Sequence, residues 1–356
     1  MRSFSVCCCF AFCFYAIAAR AQPPAGTEGD YVVENFRFRS GEVLPQLKLH
    51  YTTFGSPQRD ASGKVTNAVL ILHGTTGTGK QFVSPQFAGV LFGPGQLLDA
   101  TRYFIILPDG IGHGGSSKPS DGLHARFPRY EYDDMVAAQH QLLVDGMKVN
   151  HLRLIIGTSM GCMHSWIWGE THPDFMDAMM PLACLPVQIA GRNRMLRKMA
   201  MDGIRQDPAW ENGEYKSQPP GLKTSLDILL IMGSSPLQMQ RQYPSRDAAD
   251  AFLDNFIRTR FASTDANDLL YAFDASRNYD PSPNLDKIQV PVMAINSADD
   301  FINPPELGIM EKEIKRVAKG RYVLLPISDQ TRGHGTHSLP ALWQGYLEQL
   351  SRKSQP

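Results

Sequence analysis

The chain has 356 residues, 43% of them hydrophobic, with 35 basic and 35 acidic side chains. That length can bury a large core, either as one α/β domain with an inserted subdomain or as two small domains. A formal net charge of zero removes the electrostatic case for nucleic acid or an anionic membrane surface as partner.

The N-terminus, MRSFSVCCCFAFCFYAIAARAQPP, has one early Arg2, an apolar stretch from Phe4 to Ala19, and Ala19-Arg20-Ala21 before Gln22. A short apolar segment ending in a small-x-small site reads as a secretory signal peptide over residues 1–21, too short to be a comfortable membrane span. The expectation is export, to a periplasm or outside the cell; the alternative is an uncleaved anchor. Four of the six cysteines (Cys7, Cys8, Cys9 and Cys13) fall in this segment, and none follows a lipobox. Cys162 and Cys184 remain, too few for a disulfide framework; two buried thiols are the expected state, with a pairing in an oxidising compartment as the alternative.

Residues 30–55 alternate apolar and polar positions in two runs, the pattern of a β-hairpin. Continuous apolar runs follow at Ala68–Leu72, Tyr103–Leu107, Leu152–Ile156, Ala178–Leu182, Val290–Asn296 and Arg321–Ile327, several followed by helical sequence such as Tyr132–Val149 and Met160–His172. Strands without alternation, separated by helices, predict a mostly parallel sheet covered on both faces. Between about residues 186 and 280 the alternation stops, and the sequence is Met- and Arg-rich and helical in pattern. A helical insertion between strands would lie as a lid over their C-terminal ends, where open α/β sheets bind ligands. Met195, Met199, Met201, Met232 and Met239 are candidates to line an acyl pocket there, with ordinary helix packing as the alternative. The division expected is therefore signal peptide 1–21, core 22–185, lid 186–280, and core again from 281 to 356.

His73-Gly74-Thr75-Thr76-Gly77-Thr78-Gly79-Lys80 follows the strand Ala68–Leu72 and reads G-x-x-x-x-G-K, like a phosphate-binding loop. The next residue is Gln81, where that motif needs a hydroxyl for Mg²⁺, and no Mg²⁺-binding acid ends a partner strand. Gly157-Thr158-Ser159-Met160-Gly161 is more informative, because it lies directly between a strand and a helix. Its glycines permit a sharp turn with the serine at the tip, and the helix leaves the N–H of Met160 free for an oxyanion. Ser159 is then the candidate nucleophile. It needs a histidine to take its proton and a carboxylate to orient that histidine, in the chain order Ser, acid, His.

The acid is expected in Ser297-Ala298-Asp299-Asp300-Phe301-Ile302-Asn303-Pro304, where spacing to Pro304 favours Asp300 over Asp299. The histidine is expected in Gly333-His334-Gly335-Thr336-His337, His334 ahead of His337. Two histidines at i, i+3 could hold a metal, but no third ligand cluster stands beside them, so no metal and no cofactor is expected. In such a fold the loop after an early strand supplies the second oxyanion donor, which makes Thr75 the partner of Met160. His73–Lys80 is then an oxyanion loop.

HG after one strand, PDGIGHGGSSKP after the next, then GTSMG, SADDFINP and GH, in this order, resemble the α/β-hydrolase superfamily across most of the chain after the leader. GTSMGCMHSWIWGETHPD, the lid segment IAGRNRMLRKMAMDGIRQDPAWENGEY, and DDFINPPE with RGHG resemble its homoserine O-acetyltransferase branch. The resemblance implies an α/β-hydrolase fold and a Ser–Asp–His triad moving an acetyl group from acetyl-CoA to homoserine, carried onto Ser159, Asp300 and His334. It also implies that Arg197 faces the substrate pocket, a solvated helix residue being the alternative. The branch usually has an acid after the catalytic histidine that helps read homoserine; here Gly335 stands there. That departure and export favour water as the acyl acceptor. The expected function is a serine esterase acting on a small-molecule acyl ester. An O-acyltransferase, or a non-catalytic binding protein on a hydrolase scaffold, are the alternatives.

Overall fold

The structure is a computed structural model, which describes residues 25–354. The expected signal peptide lies outside the described residues. Eight strands form one sheet: β1 (Thr27–Arg37), β2 (Val43–Phe54), β3 (Ala68–Leu72), β4 (Phe104–Pro108), β5 (Leu154–Thr158), β6 (Met179–Leu182), β7 (Val292–Ser297) and β8 (Gly320–Leu325). Their spatial order is β1-β2-β4-β3-β5-β6-β7-β8. The first two pairings, β1 with β2 and β2 with β4, are antiparallel, and β4 through β8 run parallel.

Burial explains the sequence patterns. Every residue of β3, β4, β5, β6 and β7 is buried, because helices cover both faces of the parallel part. β1 alternates exposed and buried positions over much of its length, as expected for the edge hairpin. The helices are α1 (Ala88–Leu91), α2 (Tyr132–Gln141), α3 (Met160–Thr171), α4 (Gly191–Arg205), α5 (Leu222–Gly233), α6 (Pro236–Gln242), α7 (Arg246–Ser263), α8 (Ala266–Asp274), α9 (Ile309–Glu313) and α10 (Pro340–Lys353). One apolar core joins α2 and α3 to one face of the sheet through Trp166, Trp168 and Leu70. The other joins α1 and α10 to the opposite face through Phe87, Trp343 and Ile105.

Helices α4 to α8 lie between β6 and β7 in sequence and carry their own apolar cluster, with Ala200, Ile204, Leu222 and Phe273 at its centre. Polar contacts tie this insertion to the sheet domain. Ser120 donates its N–H and Oγ to the two carboxylate oxygens of Asp268, at 2.9 and 2.6 Å, and Arg129 Nη2 meets Asp274 Oδ2 at 2.7 Å.

Cys162 and Cys184, expected as separate thiols, form a disulfide. Cys162 is in the first turn of α3, and Cys184 follows the end of β6. Because β6 pairs with β5 alongside α3, the two Cα atoms come within 5.9 Å, inside the range a disulfide spans.

Candidate active site

The turn between β5 and α3 explains the residue types of Gly157-Thr158-Ser159-Met160-Gly161. Ser159 has φ 54° and ψ −107°, a backbone conformation that strains any residue with a Cβ. A Cβ on Gly157 would collide with the Gly161 carbonyl oxygen, and one on Gly161 with that of Leu72. The strand and the helix can therefore meet this tightly only with glycine at both positions. The serine is left at the apex, lining the cavity beneath the helical insertion.

Ser159 Oγ is 2.8 Å from His334 Nε2, and His334 Nδ1 is 3.0 Å from Asp300 Oδ2. The other oxygen of Asp300 accepts the N–H groups of Ile302 at 2.8 Å and Asn303 at 3.2 Å. Burial pushes the Asp300 carboxyl up, but the adjacent His334 and these N–H groups outweigh it and hold the group below the usual carboxylate value. Asp300 is therefore ionised at neutral pH and accepts from Nδ1–H, which leaves Nε2 as the acceptor for the serine hydroxyl.

Of the alternative residues, Asp299 turns the other way. Its Oδ2 accepts the N–H of Gly333 at 3.0 Å and the hydroxyl of Ser235 at 3.1 Å, so it braces the loop that carries His334. His337 is half-buried and also lines the cavity, and its Nδ1 has no hydrogen-bond partner among the described residues. Met160 follows Ser159 in the chain and Thr75 lines the same cavity as the serine, and neither backbone N–H has an acceptor among the described residues.

Arg197 is 3% exposed and lines the same cavity; it is not a solvated helix residue. Its Nε donates to Asn193 Oδ1 at 3.0 Å and its Nη1 to Ser276 Oγ at 3.1 Å, and no carboxylate among the described residues pairs with it. A buried guanidinium held only by neutral groups is suited to an anionic ligand. The cavity is about 800 Å³, with Leu226, Met232, Phe256 and Phe273 of the insertion opposite Ser159. Met232 and Met239 line it, as two of the five candidate methionines. Met195 and Met199 instead face solvent, 61% and 54% exposed, and Met201 is buried in the insertion's own core. A helix turns only part of its surface inward, and composition does not say which.

The loop of His73–Lys80 does not offer its amides to a phosphate. Gly79 N–H donates to Asp109 Oδ1 at 2.7 Å, and Gly77 N–H to Gly74 O at 2.9 Å. A carboxylate in that position repels an anion. Among the described residues there is no group of three or more His, Cys, Asp or Glu side chains placed to hold a metal, and no helix long and apolar enough to cross a membrane.

Sequence reasoning passed over Asp109, Asn303 and His113. Asp109 also accepts Gly115 N–H at 2.8 Å, and Asn303 Nδ2 links the Ala183 carbonyl, at 3.1 Å, to Asp300. Each also has a distant partner, Gly79, Ala183 and Thr75 respectively, 30 to 120 residues away in the chain, which no local pattern shows.

A family model described as alpha/beta hydrolase fold matches residues 67–323. The homoserine O-acetyltransferase of Pelobacter propionicus is 28% identical over 340 residues, covering 85% of this chain and 90% of that protein. Among solved structures, the homoserine O-acetyltransferase from Bacillus anthracis superposes with a TM-score of 0.79 at 18% identity, over 94% of this chain and 98% of that one. The acetyl esterase MekB gives 0.77 at 23% identity, over 92% and 97%.

Proposed function

The chain belongs to the alpha/beta hydrolase family, most similar to its homoserine O-acetyltransferase-like branch, and from that premise we propose that it is a serine-dependent acyl hydrolase working through an acyl-serine intermediate. The observation that carries this reading is the unbroken line of contacts from Ser159 Oγ through the His334 ring to Asp300, opening into the cavity.

In this mechanism His334 Nε2 takes the hydroxyl proton as Ser159 Oγ attacks the acyl carbonyl carbon. The negative charge that develops on the carbonyl oxygen rests on the N–H groups of Thr75 and Met160, each worth roughly 3 kcal/mol in the transition state. His334 then returns the proton to the departing alcohol oxygen, leaving the acyl group on Ser159. A water activated by the same Nε2 attacks the acyl-serine and releases the free acid. Asp300 stays ionised throughout and stabilises the imidazolium that forms. The helical insertion acts as a lid, walling the acyl group off from solvent, and Arg197 binds a polar or anionic part of the substrate. Export through the N-terminal segment would place this chemistry outside the cytosol.

One observation favours O-acyl transfer as a second reading: the carboxylate-free Arg197 suits an acceptor that carries a carboxylate. Against it, position 335 beside the histidine is glycine. No acid stands there to read an amino group.

Labelling with a fluorophosphonate, followed by peptide mapping, tests the proposal. A single adduct on Ser159, absent from Ser159→Ala at unchanged melting temperature, is expected. Folded wild-type protein that takes no label, or Ser159→Ala that keeps wild-type turnover of p-nitrophenyl acetate, would overturn it. Adding homoserine separates the two readings, since transfer diverts product from free acetate to an O-acetyl ester.

A further inference from the structure

A peptide unit is planar and trans, so whatever fixes its carbonyl also fixes the direction of its N–H. The N–H of Thr75 shares a plane with the carbonyl of Gly74. That carbonyl oxygen lies 2.8 Å from His73 Nδ1, while His73 Nε2 accepts the N–H of Gly110 at 2.9 Å. A ring that accepts at Nε2 and faces a carbonyl at Nδ1 is neutral and protonated at Nδ1. Its burial, with His113 beside it, fits that state by pushing its pKa down to about 3.

The next peptide plane is held in the same way. The carbonyl of Thr75 lies 2.7 Å from His113 Nε2, and His113 Nδ1 lies 2.9 Å from the carbonyl of Ile111. Burial pushes the His113 pKa down, so the ring is neutral and donates to one of the two carbonyls, of which Thr75 makes the shorter contact. The two rings are 5.0 Å apart and both are buried, at 3% and 7% exposure. Gly110, Ile111 and His113 all belong to the loop after β4, so that loop braces the loop after β3 through two imidazoles.

Resting on the acyl-serine reading above, we propose that His73 and His113 are positioning residues that hold two successive carbonyls of the loop after β3 away from the cavity, so that the Thr75 N–H stays aimed at the developing oxyanion. Without them the Thr75 carbonyl loses its partner, and the Gly74 carbonyl keeps only the Gly77 N–H, at 2.9 Å. A carbonyl turned inward sets a lone pair where negative charge must build, and the site loses a donor and gains a repulsion. Neither ring is part of the Ser159–His334–Asp300 line, although His113 also lines the cavity.

The test compares His113→Leu with His113→Gln in p-nitrophenyl acetate turnover, each scaled to the folded fraction. A Gln amide can put an N–H where Nε2 stood, and Leu cannot. His113→Leu is expected to lower kcat at least roughly 10-fold with KM within about threefold, and His113→Gln to recover kcat to within about threefold of wild type; loss of one oxyanion donor sets the ceiling near 10²- to 10³-fold. Wild-type kcat in folded His113→Leu, or a Gln variant as slow as the Leu variant, would overturn the inference. If His113→Leu does not fold, His73→Asn against His73→Ala gives the same contrast, because Asn Nδ2 can stand in for the ring's Nδ1. Failure of the acyl-serine reading has a different signature: the wild-type enzyme itself takes no fluorophosphonate label, and this inference falls with it.

Discussion

The ring of His337 stands edge-on to that of His334, with centroids 5.2 Å apart and planes at 81°, while His334 Nε2 meets Ser159 Oγ at 2.8 Å. His337 is thus packing behind the ring that reaches the serine. It also holds the loop to the last helix, since its carbonyl accepts from Trp343 Nε1 at 3.1 Å.

The two histidines should therefore separate cleanly. His334→Ala is expected to lower kcat by about 10⁴-fold or more, as loss of a general base does in such triads. His337→Ala should leave kcat within about tenfold and lower the melting temperature, because it removes the ring packed edge-on against His334. Steady-state kinetics and thermal unfolding of both variants check this, and the reverse order of activities would reassign the base.

Arg197 predicts a substrate preference. Arg197→Met removes the buried cation and keeps much of the side-chain volume. For an acetyl ester that carries a carboxylate, KM is expected to rise roughly 10- to 100-fold, the worth of a hydrogen bond to a charged group. For neutral p-nitrophenyl acetate it should move by less than about threefold. Equal effects on both esters would show that Arg197 only supports the insertion.

The disulfide links the nucleophile's helix to the segment after β6, across 22 residues of chain. Loop-closure entropy for that separation is roughly 3 kcal/mol. The double variant Cys162→Ala/Cys184→Ala should lose about that much in urea unfolding, with activity at 25 °C largely kept. A non-reduced peptide map in which both residues carry free thiols would remove the link altogether.

The buried histidines predict loss of stability in acid. Burial and the neighbouring His113 push His73 down to about 3, and burial and the neighbouring His334 push His337 down to about 3. In the unfolded chain both rings take up a proton near pH 6.5, so below that pH the unfolded state binds more protons than the folded state. Stability is complete above about pH 6.5 and falls as pH drops toward 3, with a slope of up to about 1.4 kcal/mol per pH unit for each ring. Urea midpoints at pH 7.5, 6.0 and 5.0 should decline in that order. A flat profile would mean that these rings are protonated or solvated in the folded protein.

Elements whose patterns are local were legible in the amino-acid order. Strands buried on both faces are continuous apolar runs, so β3 to β7 were legible along with the parallel sheet they imply. The strand–turn–helix around Ser159 was legible too, since its two glycines answer to steric limits within a few residues of chain. Which of two adjacent carboxylates meets the histidine depends on how the loops pack: Asp300 reaches His334, while Asp299 turns to Gly333. Packing likewise brings Cys162 and Cys184 together, turns Met195 and Met199 to water and Met232 and Met239 to the cavity, and sets His73 and His113 to brace the loop after β3. The physical reason is common to all of these. A side chain's direction depends on packing between segments far apart in sequence, such as the 22 residues between the cysteines and the 175 between Ser159 and His334. No pattern confined to one segment encodes it.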